Sequence, residues 1–169
     1  MSNIYLVGFM ATGKTETARL LAKNLKRSFV DMDELIVSRE GMPITEIFES
    51  KGEAYLRALE KKVVQEISKK TAVIVACGGG TFVDPENIEA LKKTGTVICL
   101  TSSPEVILKR AFRFGHRPLL NAGDPNKAIE ELLLKRQPFY NQALKSSHRK
   151  GTLITADGFY LLSRSVFGF

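Results

Sequence analysis

The sequence of 169 residues contains no long apolar run and only two cysteines. No stretch approaches the roughly 18 apolar residues of a membrane-spanning helix, and the N-terminus lacks the basic-then-apolar pattern of a secretory signal. We therefore expect a cytoplasmic protein with no membrane partner. Cys77 and Cys99 each lie in an apolar run, in neither a metal-ligand nor a redox spacing. We interpret them as reduced core thiols, and we expect no zinc site.

The chain also lacks any run of five or more basic residues, although its formal net charge is +7. Such a charge favours anionic partners, which include nucleic acids as well as small phosphates and carboxylates. The charge alone leaves both classes open. A nucleic-acid-binding module needs a basic stripe, whereas the positive charge here is distributed along the chain, so we expect no nucleic acid partner.

What the sequence does contain is an alternation of strand-length apolar runs with longer amphipathic segments. With 44% hydrophobic residues, the chain can form one domain with its own core. The alternation predicts an α/β fold of three layers, in which helices cover both faces of a five-stranded parallel sheet. The predicted strands are Ile4–Val7, Ser28–Val30, Ala72–Cys77, Thr96–Leu100 and Thr152–Thr155. The predicted helices are Lys14–Leu25, Ile44–Glu49, Glu53–Lys69, Pro85–Lys93, Pro104–Phe114 and Asn126–Leu144.

Two segments interrupt this alternation within the single domain predicted for residues 1–169. Two helical patterns lie between the second and third strands, which is more than a crossover needs, and they predict a helical insert at about residues 32–60. The stretch at about residues 111–124 contains Gly115, Pro118 and Gly123 and predicts a mobile lid. Long loops inside compact domains are usually functional, and a plain surface connection is the alternative.

Residues Gly8 to Thr15 match the phosphate-binding pattern G-x-x-x-x-G-K-[ST] in full. The pattern follows an apolar run and opens an amphipathic one, as a strand–loop–helix phosphate site requires. Its glycines let backbone N–H groups turn toward phosphate oxygens, and the helix N-terminus adds partial positive charge. We expect Lys14 to contact the terminal phosphates of ATP and the Thr15 hydroxyl to ligate Mg2+. Glu16 lies near these phosphates, so its side chain must point away from them.

Two acids, Asp31 and Asp33, follow the second predicted strand. Ligands of open parallel sheets bind beyond the carboxyl ends of the strands, so these acids should lie beside the phosphate loop. The third strand is followed by Gly78, Gly79 and Gly80, which allow a close approach of backbone and ligand, and by no acid. Asp31 is therefore the natural Mg2+ carboxylate, acting through a water. If the strand geometry persists, Asp33 lies on the same side and can act as a base; the alternative is that the acids cap a helix or form a turn.

Four arginines complete the candidate residues: Arg57, Arg110, Arg117 and Arg136. A guanidinium binds a carboxylate or phosphate through two parallel hydrogen bonds, although an isolated helical arginine usually belongs to a solvated face. Arg117 precedes a proline in the predicted lid, a suitable position for a group that closes on ATP. Arg136 lies one helical turn before Tyr140, whose ring would brace it.

Together, these motifs resemble the shikimate kinase family over residues 4–140. The shared features are the Gly-Phe-Met start of the phosphate loop, Asp31-x-Asp33, Gly52-Glu53-x-x-x-Arg57-x-x-Glu60, Gly78-Gly79-Gly80, Arg117-Pro118-Leu119-Leu120 and Arg136-x-x-x-Tyr140. The phosphate loop alone indicates only NTP binding, whereas the full set in this order is highly specific.

The resemblance implies a nucleoside-monophosphate-kinase-like fold with a core, a substrate-binding insert and a lid. It implies transfer of the ATP γ-phosphoryl group to the 3-hydroxyl of shikimate, in aromatic amino-acid (chorismate) biosynthesis, by a monomer that uses Mg2+. The implied shikimate-binding residues are Asp33, Arg57, Gly78, Gly79, Gly80 and Arg136, with the two arginines on the carboxylate. The implied ATP-binding residues are Ala11, Thr12, Gly13, Lys14, Thr15, Glu16, Arg110 and Arg117. The resemblance further implies that Asp33, Lys14 and Arg117 are catalytic and that Thr15 and Asp31 bind Mg2+.

The sequence departs from the family pattern at three of the positions considered. Leu56 stands where the family usually has Phe, and Ala11 and Glu16 replace the more typical Gly and Thr. Two other interpretations stay open: a P-loop kinase for another small acceptor such as gluconate or a nucleotide, and a non-catalytic nucleotide-binding module. Two arginines and Asp33 favour a compact hydroxy acid as the acceptor.

Overall fold

The computed structural model describes residues 1–113, 124–145 and 153–155. Within them lie five strands and six α-helices, with one helix between the first and second and between the third and fourth strands, and two helices between the second and third and between the fourth and fifth strands. The strands are β1 Asn3–Gly8, β2 Ser28–Asp31, β3 Val73–Ala76, β4 Gly95–Thr101 and β5 Leu153–Thr155. The helices are α1 Lys14–Leu25, α2 Met32–Glu40, α3 Ile44–Ile67, α4 Pro85–Thr94, α5 Pro104–Arg113 and α6 Pro125–Lys145. Most of the predicted lid lies outside the described residues, and so does Arg117.

The strands form one sheet in the order β2-β3-β1-β4-β5, and all neighbouring pairs are parallel. β1 lies between β3 and β4, so the loop after β1 leaves the middle of the carboxyl edge, where open parallel sheets bind their ligands. The predicted α/β class is confirmed. No helix in the described part of the chain is long and apolar enough to cross a membrane.

Alternate residues of the strands pack into two separate cores, one on each face of the sheet. Ile4 and Leu6 face α1, whereas Tyr5 and Val7 face the cluster formed with α2 to α6. Burying an aliphatic side chain of this size contributes about 1.5–3 kcal/mol, so both faces stabilise the layered arrangement. Cys77 and Cys99 both belong to the core on the Tyr5 face, as expected for core thiols. Both are buried and free, and burial raises the pKa of Cys99 to about 11.

Helix α2 was not predicted, and its position corrects the expected path of the chain after β2. It begins at Met32 because the Asp31 side chain accepts hydrogen bonds from the backbone N–H groups of Asp33 and Glu34, which caps the helix. It ends at Gly41, whose φ of 70° suits a helix C-terminus. The expectation that strand geometry persists to Asp33 is therefore wrong, and the capping alternative is correct for Asp31.

The two helices predicted after α2 join into α3, which is interrupted at Gly52. This residue has φ 83° and ψ 167°, values outside the helical region. The break falls where the sequence predicted the separation of two helices. The second half of α3 therefore starts afresh at Glu53, with its own first turn.

At the amino end of the sheet, the buried Asn3 side chain links β1 to neighbouring segments by hydrogen bonds. Its Nδ2 donates to the Tyr5 hydroxyl and to the Lys70 carbonyl, both at 2.9 Å, and its Oδ1 accepts from the Val73 N–H at 3.0 Å. The Tyr5 hydroxyl lies a further 2.8 Å from the Thr94 hydroxyl. These bonds connect β1 to β3 and to the ends of α3 and α4.

Candidate active site

The phosphate loop between β1 and α1 has a backbone that glycine makes possible. Gly8 has φ 132° and lies so close to β4 that a Cβ would collide with the Leu100 carbonyl. Gly13 caps α1 with φ 90°. Ala11 also has a positive φ, 58°, which costs an L-residue about 1–2 kcal/mol. The loop therefore keeps a left-handed residue at the position where the sequence replaces glycine by alanine.

Lys14 is nearly enclosed by this loop and is only 9% exposed. Its Nζ donates to the Phe9 carbonyl at 2.7 Å, and the Thr12 hydroxyl donates to the same oxygen at 2.8 Å. Burial lowers the pKa of Lys14, and the negative charge of Asp33 opposes this shift. An incoming phosphate would thus meet a desolvated ammonium group and the N–H groups at the start of α1, a combination that suits an anion.

Thr15 and Asp31 form a pair at the junction of the loop and α2. The Thr15 hydroxyl donates to Asp31 Oδ2 at 2.7 Å, while Asp31 Oδ1 accepts the N–H groups of Asp33 and Glu34 at 2.9 and 3.2 Å. Asp31 is 8% exposed. One carboxylate oxygen is therefore committed to the α2 cap and the other faces Thr15, so an oxygen pair suited to a hard cation is already assembled.

Gly78 brings two carboxylates together after β3. A Cβ on Gly78 would lie 2.6 Å from Glu60 Oε1 and 2.9 Å from Asp33 Oδ1. Both oxygens thus lie against the glycine Cα, and a side chain at this position would displace them. Asp33 reaches the carboxyl edge of the sheet from the first turn of α2. It lies close enough to Lys14 for its negative charge to oppose the lowering of the lysine pKa by burial.

Arg57 is bound by two glutamates of its own helix, α3. Its Nη1 donates to Glu60 Oε2 at 2.5 Å, and its Nε and Nη2 both donate to Glu53 Oε1, at 3.2 and 2.8 Å. Glu60 is held from its other side by the Thr81 hydroxyl at 3.0 Å. Burial alone would lower the pKa of the Arg57 guanidinium, but the two carboxylates raise it above its usual value. The guanidinium packs on Gly80, where a Cβ would overlap it.

Arg136 reaches the same glycine segment from α6. Its Nη1 donates to the Gly79 carbonyl at 3.1 Å, and the Tyr140 hydroxyl donates to that carbonyl at 2.7 Å. The Arg136 guanidinium lies over the Phe9 ring, 5.7 Å from its centroid, and the residue is only 6% exposed. Burial raises the pKa of Tyr140 to about 12. The expected bracing by Tyr140 thus works partly through a shared acceptor.

Each of the three consecutive glycines therefore contacts one predicted acceptor-binding side chain: Gly78 contacts Asp33, Gly79 contacts Arg136 and Gly80 contacts Arg57. We call these six residues the glycine wall. The wall adjoins the phosphate loop, since a Cβ on Gly79 would lie 3.3 Å from the Met10 nitrogen.

The remaining candidates lie at the margin of the site. Arg110 Nη1 is 3.5 Å from the Ala11 carbonyl, so α5 touches the phosphate loop. The Glu16 side chain is 80% exposed and pairs with Arg19 at 3.3 Å, so it points away from the loop as expected. Leu56 belongs to the buried core beneath α3.

Three residues of the site had been assigned no function from the sequence: Thr81, and Glu53 and Glu60, which appeared only as members of the motif shared with the family. Glu53 precedes Arg57 by four residues and Glu60 follows it by three, so all three side chains lie on one face of α3. This spacing could have predicted both ion pairs. Thr81 had no such signal, because its contact with Glu60 spans 21 residues of sequence.

Because the loop after β1 offers an anion-binding site and the adjoining wall offers a carboxylate and two guanidinium groups, the fold and site define a P-loop kinase of small molecules. The family model described as "Shikimate kinase" matches residues 10–156. The chain belongs to the shikimate kinase family.

Individual relatives agree with this assignment. A curated shikimate kinase of Caldanaerobacter subterraneus subsp. tengcongensis is 46% identical over 143 residues, which cover 85% of this chain and 84% of the relative. The solved structure "Shikimate kinase from Acinetobacter baumannii in complex with shikimate" matches with a TM-score of 0.83 at 35% identity, over 98% of this chain and 88% of that one. A gluconokinase from Sinorhizobium meliloti 1021 matches with a TM-score of 0.53 at 14% identity, over 98% of this chain and 87% of that one, which shows a shared fold alone.

Proposed function

We propose that this chain transfers the γ-phosphoryl group of ATP to the 3-hydroxyl of shikimate, giving shikimate 3-phosphate and ADP. The observation that carries the proposal is the glycine wall, in which one segment of three residues gathers a carboxylate, the buried Arg136 and the partly buried Arg57 beside the phosphate loop. Shikimate combines a carboxylate with hydroxyls, which are the groups that such a wall can bind. Family membership and the shikimate complex of the Acinetobacter baumannii relative support the same acceptor.

ATP is assigned to the phosphate loop. The backbone N–H groups of Ala11 to Glu16 would bind its phosphates, and Lys14 would add a positive charge at the terminal phosphates. Arg110, which touches the loop through Ala11, would pack on the adenine. Arg117, in the predicted lid at about residues 111–124, would close on the phosphates and help to exclude water.

The acceptor is assigned to the wall within the insert at about residues 32–60 and the segments beside it. Arg57 and Arg136 would bind the carboxylate, and Asp33 would accept a hydrogen bond from the 3-hydroxyl. As the hydroxyl oxygen forms its bond to the γ-phosphorus, Asp33 takes the proton, the bond to the bridging oxygen of ADP breaks, and ADP leaves. Positioning and charge neutralisation supply most of the acceleration in such transfers.

Mg2+ fits the pair of Thr15 and Asp31. Their oxygens are already 2.7 Å apart, and one Asp31 oxygen is not used by the α2 cap. No group of three or more His, Cys, Asp or Glu side chains that could hold a metal by themselves occurs in the described ranges. Thr15 and Asp31 would therefore hold an ion that arrives with ATP, and the ion would neutralise phosphate charge. We further propose a monomeric, cytoplasmic enzyme.

The decisive experiment measures ADP release from ATP with and without shikimate, in the presence of Mg2+. We expect release that depends on both shikimate and Mg2+, with shikimate 3-phosphate formed in equal amount. Gluconate and nucleoside monophosphates serve as competing acceptors in the same assay. Faster turnover with either of them would contradict the proposal. ADP release with no acceptor dependence would show ATP hydrolysis in place of transfer, and binding of ATP with no ADP release would leave only a nucleotide-binding site.

A further inference from the structure

Glu53 occupies one edge of the Arg57 guanidinium. The Nε–H and Nη2–H groups on that edge point in parallel and form one of the forks with which arginine grips a carboxylate. Both groups donate to a single oxygen, Glu53 Oε1, at 3.2 and 2.8 Å. The proposed function requires Arg57 to bind the acceptor carboxylate, yet this fork already carries a carboxylate of the chain itself.

The two glutamates on Arg57 differ in how firmly they are held. The Glu60 side chain is 4% exposed and also accepts from the Thr81 hydroxyl, so its separation from Arg57 would leave a buried charge unpaired. The Glu53 side chain is 50% exposed, and exposed ion pairs contribute little to stability. Glu60 is therefore the permanent partner of Arg57, and Glu53 is the partner that another carboxylate can displace.

The backbone next to Glu53 is suited to this exchange. Glu53 directly follows Gly52, where α3 is interrupted at φ 83° and ψ 167°, and a Cβ on Gly52 would meet no atom within 4 Å. Glu53 also lies in the first turn of the second half of α3, where a negative charge is stabilised by the helix dipole. When it releases Arg57, Glu53 can thus turn into solvent without becoming a buried, unpaired charge.

We propose that Glu53 is an internal competitor of the acceptor carboxylate for Arg57, and that it sets the binding free energy that a carboxylate ligand must exceed. This inference rests on the proposed function and deepens it. Every carboxylate ligand must displace Glu53, and a ligand that binds Arg57 alone gains too little to do so. A ligand that also binds Arg136 and Asp33 offsets the loss. Glu53 thereby lowers the affinity of every carboxylate that binds Arg57 by one common factor, so that simple carboxylates, which lack the contacts with Arg136 and Asp33, stay largely unbound.

The test compares Glu53→Gln with the wild-type chain by calorimetric titration with shikimate. The exchange keeps the size of the side chain and removes its charge, and we expect the Kd for shikimate to fall about two- to five-fold, the range of an exposed ion pair. The Kd for the neutral methyl ester of shikimate should not change, because that ligand does not need the Arg57 fork. The Kd for benzoate should fall by a similar factor, because benzoate must displace the same carboxylate. The Kd for ATP should not change.

Two further variants make the outcome unambiguous. Glu60→Gln should weaken shikimate binding, since it removes the permanent partner of Arg57, and Glu89→Gln on an exposed position of α4 controls for the loss of one negative charge. A raised or unchanged Kd for shikimate in Glu53→Gln would overturn the inference, because Glu53 would then position Arg57 or have no effect on it. Failure of the wild-type chain to bind shikimate at all would overturn the proposed function itself.

Discussion

The phosphate loop and the glycine wall adjoin each other but are held in place by different means. The loop is one contiguous stretch whose shape comes from backbone dihedrals and from a single carbonyl, that of Phe9, which accepts from both Thr12 and Lys14. The wall is assembled from α2, α3, α6 and the segment after β3, and charged side chains hold it together. A contiguous, backbone-built site tolerates changes elsewhere, whereas a dispersed site depends on each element that contributes to it.

The largest expected effect comes from removing the carboxylate of the wall, that of Asp33. Asp33→Asn should lower kcat by about 10²–10⁴-fold, the usual contribution of a general base, while ATP binding survives because the loop is untouched. Steady-state kinetics and ATP titration measure both. Glu34→Gln, an exposed acid one residue further along α2, is the matched control. An active Asp33→Asn enzyme would remove Asp33 from the mechanism.

A smaller effect is expected from crowding the wall without changing a charge. Gly80 has φ −101° and ψ −11°, which alanine tolerates, so Gly80→Ala should fold normally while its methyl group pushes the Arg57 guanidinium away. The KM for shikimate should rise about 10- to 100-fold, the value of one charge-assisted hydrogen bond or slightly more, and the KM for ATP should not. In an Arg57→Ala background the exchange should add nothing; an additive effect would show that Gly80 acts independently of Arg57.

Arg136→Lys tests the other guanidinium of the wall and should act more mildly. Lysine keeps the charge but lacks the planar fork and the stacking surface over Phe9, so we expect the KM for shikimate to rise about tenfold with a smaller change in kcat. Arg39→Lys, on an exposed pair with Glu66, controls for the same exchange. An unchanged KM would contradict the assignment of Arg136 to the acceptor.

The smallest effect is expected in the loop itself. Ala11→Gly relieves a positive φ and should raise the free energy of unfolding by about 1 kcal/mol, which corresponds to roughly 2–4 °C in Tm for a chain of this length. Ala72→Gly relieves a φ of 60° outside the site and should stabilise the protein similarly. Equal stabilisation by both variants would assign the gain to relief of the positive φ. Unchanged ATP affinity in Ala11→Gly would show that the loop already has its binding shape with alanine at position 11.

The same contrast explains what could be predicted from the sequence. The loop and α1 follow from a local pattern, and the predicted helix Lys14–Leu25 has the bounds of α1. Helix α2 was missed because its start depends on the capping of two N–H groups by Asp31, and its nine residues carry little amphipathic periodicity. Asp33 was placed near the loop for the wrong reason, since helix α2 and not strand alternation carries it there.

The contacts of the wall were beyond any local pattern. Arg136 and Gly79 are separated by 57 residues in sequence, and nothing in helical periodicity indicates that this guanidinium donates to that carbonyl. The resemblance to a family grouped these residues by function, but the contact of each glycine with one side chain became visible only in the fold.

The buried hydrogen bonds of Asn3 lie at the far end of β1 from the phosphate loop, roughly 17 Å away at the rise of an extended strand. Loss of these buried hydrogen bonds would cost about 1–3 kcal/mol each without altering the carboxyl edge where ligands bind. The Asn3 hydrogen bonds therefore contribute to stability at one end of the strand whose other end leads into the phosphate loop.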